Sequence, residues 1–215
     1  MTGRLIAWLT LVGAFIALAY ANRAAGGEPD EDVLYEYGTA VAGVVQYAIV
    51  LAIVLWITRG PRQRDLLALR APRSLGGAVG WSIVVIVGIY VAIAALEPFL
   101  HAGEEQGLTP PDWDPDRAWP YAANFVVIAG ITPIVEELMF RGAGYSLLAR
   151  FGQLVAVVVV GVTFGLVHGL VYGLAILTTF GIGLAWLRAK TDSVYPCIAV
   201  HSLFNSVALV VAVTT

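Results

Sequence analysis

Thr132-Pro133-Ile134-Val135-Glu136-Glu137-Leu138-Met139-Phe140-Arg141 sets two adjacent carboxylates inside an apolar run covering about residues 119–149. Each charge near the centre of a membrane helix costs roughly 3 kcal/mol. Such a pair therefore predicts either an offsetting partner or a function that needs it. Glu137 and Arg141 are four apart and share a helical face, so they can pair. Glu136 is rotated about 100° away and has no local partner. A carboxylate without a partner in apolar surroundings holds its proton more tightly unless a cation or donors approach. That state suits a general base near neutral pH. The bland alternative, an ion pair at a helix end with a snorkelling arginine, accounts for Glu137 and Arg141 but leaves Glu136 unexplained.

The rest of the chain has the same character. It has 215 residues, 59% hydrophobic and 13% charged, with a mean hydropathy of +0.82. Soluble domains are about 45–50% apolar and about 25% charged, so this is a membrane protein. Apolar windows fall at about 5–21, 38–57, 75–96, 119–149, 153–170, 173–188 and 194–213, each long enough, or nearly so, to span the hydrocarbon as a helix. Runs such as 155–160 do not alternate apolar with polar, which argues against a β-barrel. The expected fold is an all-α polytopic transmembrane bundle of about seven spans, one domain over 1–215, with a polar intramembrane cavity.

Loop charges assign orientation. Arg4, then Arg59, Arg62, Arg64, Arg70 and Arg73, then Arg150, then Arg188 and Lys190 all fall on one side, which is therefore cytoplasmic. The opposite loops hold Glu28, Asp30, Glu31, Asp32 and Glu36, and Glu97, Glu104, Glu105, Asp112, Asp114 and Asp116. This predicts the N-terminus inside and the C-terminus outside. Arg4, the first apolar run and Ala19-Tyr20-Ala21 also imitate a signal peptide. Pro110, Pro111 and Pro115 exclude helix in the loop 101–118, and Trp113, Trp119 and Tyr121 suit the interface belt. The net charge of −3 argues against nucleic acid. Eleven arginines against one lysine, with abundant Ala, Val and Gly, suggest a prokaryotic, GC-rich source.

Two further polar elements lie in apolar windows. His168 ends Phe164-Gly165-Leu166-Val167-His168, and alone it reads as a hydrogen-bonded packing residue. Gly161, Gly165, Gly169 and Gly173 form a ladder for close helix packing. His201-Ser202-Leu203-Phe204-Asn205 puts an imidazole and an amide on one face, which alone reads as interhelical glue. Counted from the cytoplasmic helix ends at 1.5 Å per residue, Glu136, His168 and His201 lie about 21, 24 and 15 Å deep. One carboxylate and two imidazoles at similar depth can assemble a water-activating site. They are equally the His₂Glu ligand set of catalytic zinc sites, so metal dependence stays open. His101 reads as solvated and Cys197 as a packing residue.

Glu136-Glu137-x-x-x-Arg141, Phe164-x-x-x-His168 and His201-x-x-x-Asn205, in this order over roughly 119–213, resemble the CAAX prenyl endopeptidase family, also called CPBP or Abi proteins. The resemblance implies an intramembrane endopeptidase. Glu136 would activate water with help from His168, His201 and Asn205 would stabilise the oxyanion, and Glu137 with Arg141 would hold the geometry. The substrate would be a membrane-associated protein or peptide, prenylated or not. The competing readings are a non-catalytic immunity or scaffold protein that binds a peptide partner, and a proton or ion transporter. No pair of broken repeat helices supports the transporter.

Overall fold

The computed structural model describes residues 2–26, 32–100, 105 and 113–214. Glu28, Asp30, Glu31, His101, Glu104, Pro110, Pro111 and Asp112 lie outside the described residues. Within the described residues the chain is helical and has no strand. In chain order the helices are α1 (Thr2–Ala24), α2 (Tyr37–Thr58), the short α3 (Gln63–Leu66), α4 (Leu75–Leu100), α5 (Pro115–Phe151), α6 (Gln153–Leu166), α7 (Leu174–Thr191) and α8 (Tyr195–Ala212). All seven apolar windows are helical, and α1, α2, α4, α5 and α8 are long and apolar enough to cross a membrane. α6 has 14 residues, about 21 Å of helix, which is short of a hydrocarbon core of about 30 Å. α7 ends in Arg188 and Lys190. Of the about seven spans expected, five are long and apolar enough to cross a membrane.

Local chemistry sets the helix ends. Gly152 at φ 114° separates α5 from α6, a backbone conformation that favours glycine. Pro196 starts α8, where a missing N–H is harmless. α6 stops at Leu166, four residues short of the expected window, and Gly169 turns the chain at φ 69°. His168 therefore stands in the turn between α6 and α7 rather than inside a helix.

The core is organised around α5. Trp8 of α1 is fully buried, donates its indole N–H to the Met139 carbonyl at 2.9 Å, and meets the Phe140 ring edge-on at 6.4 Å. A Cβ on Gly144 would collide with the Trp8 ring, so glycine lets the indole in. This contact makes α1 part of the packed bundle. α6 and α7 cross closely where Gly161 faces Gly181, since a Cβ on Gly181 would lie 2.6 Å from the Gly161 carbonyl oxygen. Gly161 and Gly165 thus do what the ladder predicts, packing on Ile182 and Thr178 of α7. Gly169 lies instead against Ala19 of α1, beyond the end of α6. At the opposite end, Tyr121 is buried and donates to the Leu209 carbonyl at 2.6 Å, whereas Trp119 is exposed. Tyr121 is therefore a core anchor rather than an interface residue.

Candidate active site

The helical register of α5 is not uniform. Val126–Ile131 and Leu138–Gly144 are π-helical, and they flank an ordinary α-helical turn, Thr132–Glu137, that carries both glutamates. A π turn widens a helix and shifts its hydrogen bonds to the fifth residue, and such turns concentrate at functional sites. In this register Thr132 N–H bonds to the Val127 carbonyl. Pro133 follows with no N–H to offer, so the next carbonyl in register, that of Ile128, needs another donor. Asn205 of α8 supplies it, donating its amide at 2.9 Å. The proline and the asparagine are two halves of one joint between α5 and α8.

The two glutamates have separate environments. Glu137 is fully buried, as is Arg141. Its Oε1 accepts from Arg141 Nη1 at 2.7 Å and from His201 Nδ1 at 2.9 Å. Arg141 also donates from Nη2 to the Gly181 carbonyl at 3.0 Å and stacks its guanidinium 4.5 Å from the centre of the Phe164 ring. Arg141 thus does not snorkel; it joins α5 to α6 and α7. Glu136 keeps 15% of its side chain exposed. Its Oε1 accepts from the Tyr47 hydroxyl at 2.8 Å, and its Oε2 lies 3.9 Å from His201 Nε2. The imidazole of His201 therefore lies between the two carboxylates. A carboxylate only accepts, so the bond to Glu137 fixes the proton of His201 on Nδ1.

His168 is oriented by its own turn. Its Nδ1 lies 2.7 Å from the Phe164 carbonyl. A carbonyl only accepts, so Nδ1 carries the proton and the neutral ring leaves a lone pair on Nε2. Its ring centre is 4.9 Å from that of Phe164, and the ring of His201 meets the same phenyl at 5.8 Å and Phe180 at 5.0 Å. Phe164 thus touches both imidazoles and the Arg141 guanidinium, and it is fully buried.

The motif residues from α5 and α8 thus converge through direct bonds, and His168 joins them through Phe164. Tyr47 and Phe180, on α2 and α7, escape the sequence reading. Both are aromatic residues in apolar windows, which in sequence is indistinguishable from core packing. Among the described residues no group of three or more His, Cys, Asp and Glu stands close enough to hold a metal ion. The His₂Glu set does not close into a cage among the described residues. Cys197 is fully buried, with its thiol 3.4 Å from the Leu184 carbonyl, as expected of a packing residue.

Known proteins bear on this site. The chain is similar to a protein of Bacillus subtilis (strain 168) named "Putative membrane peptidase YdiL", 26% identical over 208 residues that cover 91% of this chain and 80% of the relative. No solved structure matches it. With five helices fit to cross a membrane, the chain is an integral membrane protein. Residues 118–207 match the model of the family described as type II CAAX prenyl endopeptidase Rce1-like, and over that region, which holds Glu136, Glu137, Arg141, His168, His201 and Asn205, the chain carries this family's sequence pattern.

Proposed function

We propose that the protein is an intramembrane endopeptidase that hydrolyses a peptide bond in a membrane-associated, in some cases lipidated, protein or peptide. The observation that carries this reading is the division of labour between adjacent glutamates. Glu137 is consumed by Arg141 and His201, while Glu136 is partly accessible, oriented by Tyr47, and next to an imidazole. A structural ion pair needs only the first glutamate.

Glu136 takes a proton from water, with the Nε2 lone pair of His168 assisting, and the oxygen attacks the scissile carbonyl carbon. The peptide C–N bond breaks as the glutamic acid returns the proton to the leaving amine. The tetrahedral oxyanion needs donors. The second amide hydrogen of Asn205 is available, since one is given to Ile128. His201 Nε2 donates only when the ring carries both protons, and in that form the carboxylates on either side balance its charge. Glu137 and Arg141 hold His201 and α5 in place. Substrate reaches the site from the bilayer, in a prokaryotic plasma membrane, with the arginine-rich loops and the N-terminus in the cytoplasm and the C-terminus outside.

The test is digestion of a panel of prenylated and unprenylated amphipathic peptides by purified protein. A product of defined mass that disappears in Glu136→Ala supports the reading. Cleavage retained in purified, folded Glu136→Ala would reject it. A chelator arm reports on metal.

A further inference from the structure

A second feature lies at the arginine-rich end of the bundle. The start of α1 and the end of α2 leave a cleft of about 320 Å³ lined by Arg4, Ala7, Trp56, Ile57 and Arg59 among others. A second hollow of about 480 Å³, lined by Arg4, Arg62, Asp65 and Leu66, shares Arg4 with it. Volumes of a few hundred Å³ are those of small-ligand sites.

The lining has three guanidiniums against one carboxylate. Among the described residues Arg4, Arg59 and Arg62 make no ion pair. Arg4 is held in place by donating to the Arg59 carbonyl, and the Arg59 guanidinium lies 4.9 Å from the centre of the Trp56 ring. Asp65 is largely exposed, and its carboxylate pairs with Arg70 at 3.8 Å rather than with any of the three. Beneath the charges lie apolar groups, Ala7 and Ile57 in one hollow and Leu66 in the other. Trp56, 56% exposed, is at the end of a membrane span, where indoles sit at headgroup level. Cations above, an indole at the rim and apolar surface below match an amphiphile with an anionic head.

We propose that the two hollows, joined at Arg4, together bind a phosphate monoanion, supplied by the headgroup of an anionic glycerophospholipid whose glycerol and upper acyl carbons lie along Ala7, Trp56 and Ile57. Guanidinium and phosphate pair as planar fork and tetrahedral oxyanion. The site is independent of the catalytic reading. It ties α1 to α2 and to the loop after it, and α1 in turn anchors to α5 through Trp8.

The experiment titrates the full chain in detergent micelles with phosphatidylglycerol, phosphatidylcholine and inorganic phosphate, reading lipid retention by native mass spectrometry and the melting temperature. Phosphatidylglycerol is expected to bind and raise the melting temperature, and phosphatidylcholine is not. At about 1 kcal/mol per arginine near a lipid surface, Arg59→Gln with Arg62→Gln weakens binding about thirty-fold, and Arg62→Gln alone about five-fold. Arg64→Gln, in the same loop but outside the lining, leaves it unchanged. Protection by inorganic phosphate equal to that by lipid keeps the anion site but assigns it to a soluble ligand. Equal binding of phosphatidylcholine overturns the proposal, as does wild-type affinity in folded Arg62→Gln or an equal loss in Arg64→Gln.

Discussion

Two charge clusters hold this molecule together, and they are built on opposite terms. One lies inside the bundle, where Glu137, Arg141 and His201 are almost wholly buried and Glu136 nearly so. The other lies at the turn after α7. There Asp192 accepts from Arg70 at 2.7 Å and Arg188 at 2.9 Å, and Arg73 stands 3.8 Å away. The backbone supports this latch, since Val194 N–H bonds to the Ala68 carbonyl and the Ser193 hydroxyl to that of Arg70. At the latch water competes for Asp192, Arg70 and Arg73, so those pairs are worth little, while Arg188 is buried. The inner cluster has no such competitor, so losing one member strands a charge. Charge at the membrane edge staples loops, whereas charge at this depth persists only where an opposite charge meets it or where chemistry needs it.

Substitutions at the two clusters test that contrast. Glu136→Ala should produce the largest effect, a loss of cleavage between about 100- and 10,000-fold with the folded protein recovered in normal yield. Peptide digestion and size-exclusion elution check both halves. Arg141→Ala should destabilise by about 3–5 kcal/mol, because it leaves Glu137 buried and unpaired. Pairing it with Glu137→Gln should restore part of the loss, read as the thermal midpoint in detergent.

Tyr47→Phe removes one hydrogen bond to a charged group, about 1.5–3 kcal/mol. If Tyr47 acts by holding Glu136, kcat falls about 10- to 100-fold with KM unchanged and the protein still folded. No further loss should then follow in a Glu136→Gln background; a loss of equal size there would make Tyr47 a packing residue only.

Asp192→Asn should cost about 1–3 kcal/mol, since it removes the exposed pairs to Arg70 and Arg73 and leaves the buried Arg188 without its carboxylate. Burial works to raise the Asp192 pKa, but the hydrogen bonds and charges of Arg70 and Arg188 outweigh it and hold the group below its ordinary value. The unfolded chain therefore binds this proton at higher pH than the folded one. The latch contributes fully above the ordinary aspartate range, about pH 4, and loses its contribution as pH falls through the lower folded value. A thermal midpoint measured against pH should show this small acid-side loss, and Asp192→Asn should remove it.

Legibility followed the distance over which each interaction acts. The Glu137–Arg141 pair was readable because four residues is one helical turn. Pro133 lacks an N–H whatever the fold, so the loss of one donor in α5 is likewise local. The donor that replaces it, Asn205, is 77 residues from Ile128, and nothing in the sequence connects them. Tyr47 was hidden for the same reason, 89 residues from Glu136. The end of α6 at Leu166 was misplaced because hydropathy continues through Leu166, Val167 and Leu170 while the backbone turns at Gly169.

Composition and the order of three short motifs were enough to determine that this chain is a helical membrane protein with polar residues at depth, because burial of charge in hydrocarbon is too unfavourable to be incidental. The i, i+4 spacing already assigned Glu137 to Arg141 and left Glu136 without a local partner. Only the folded bundle decided what stands beside Glu136: α2 brings the Tyr47 phenol to it, and α8 sets the His201 imidazole between the two carboxylates. Tyr47 is 89 residues from Glu136 and His201 is 64 from Glu137, beyond the reach of any local pattern.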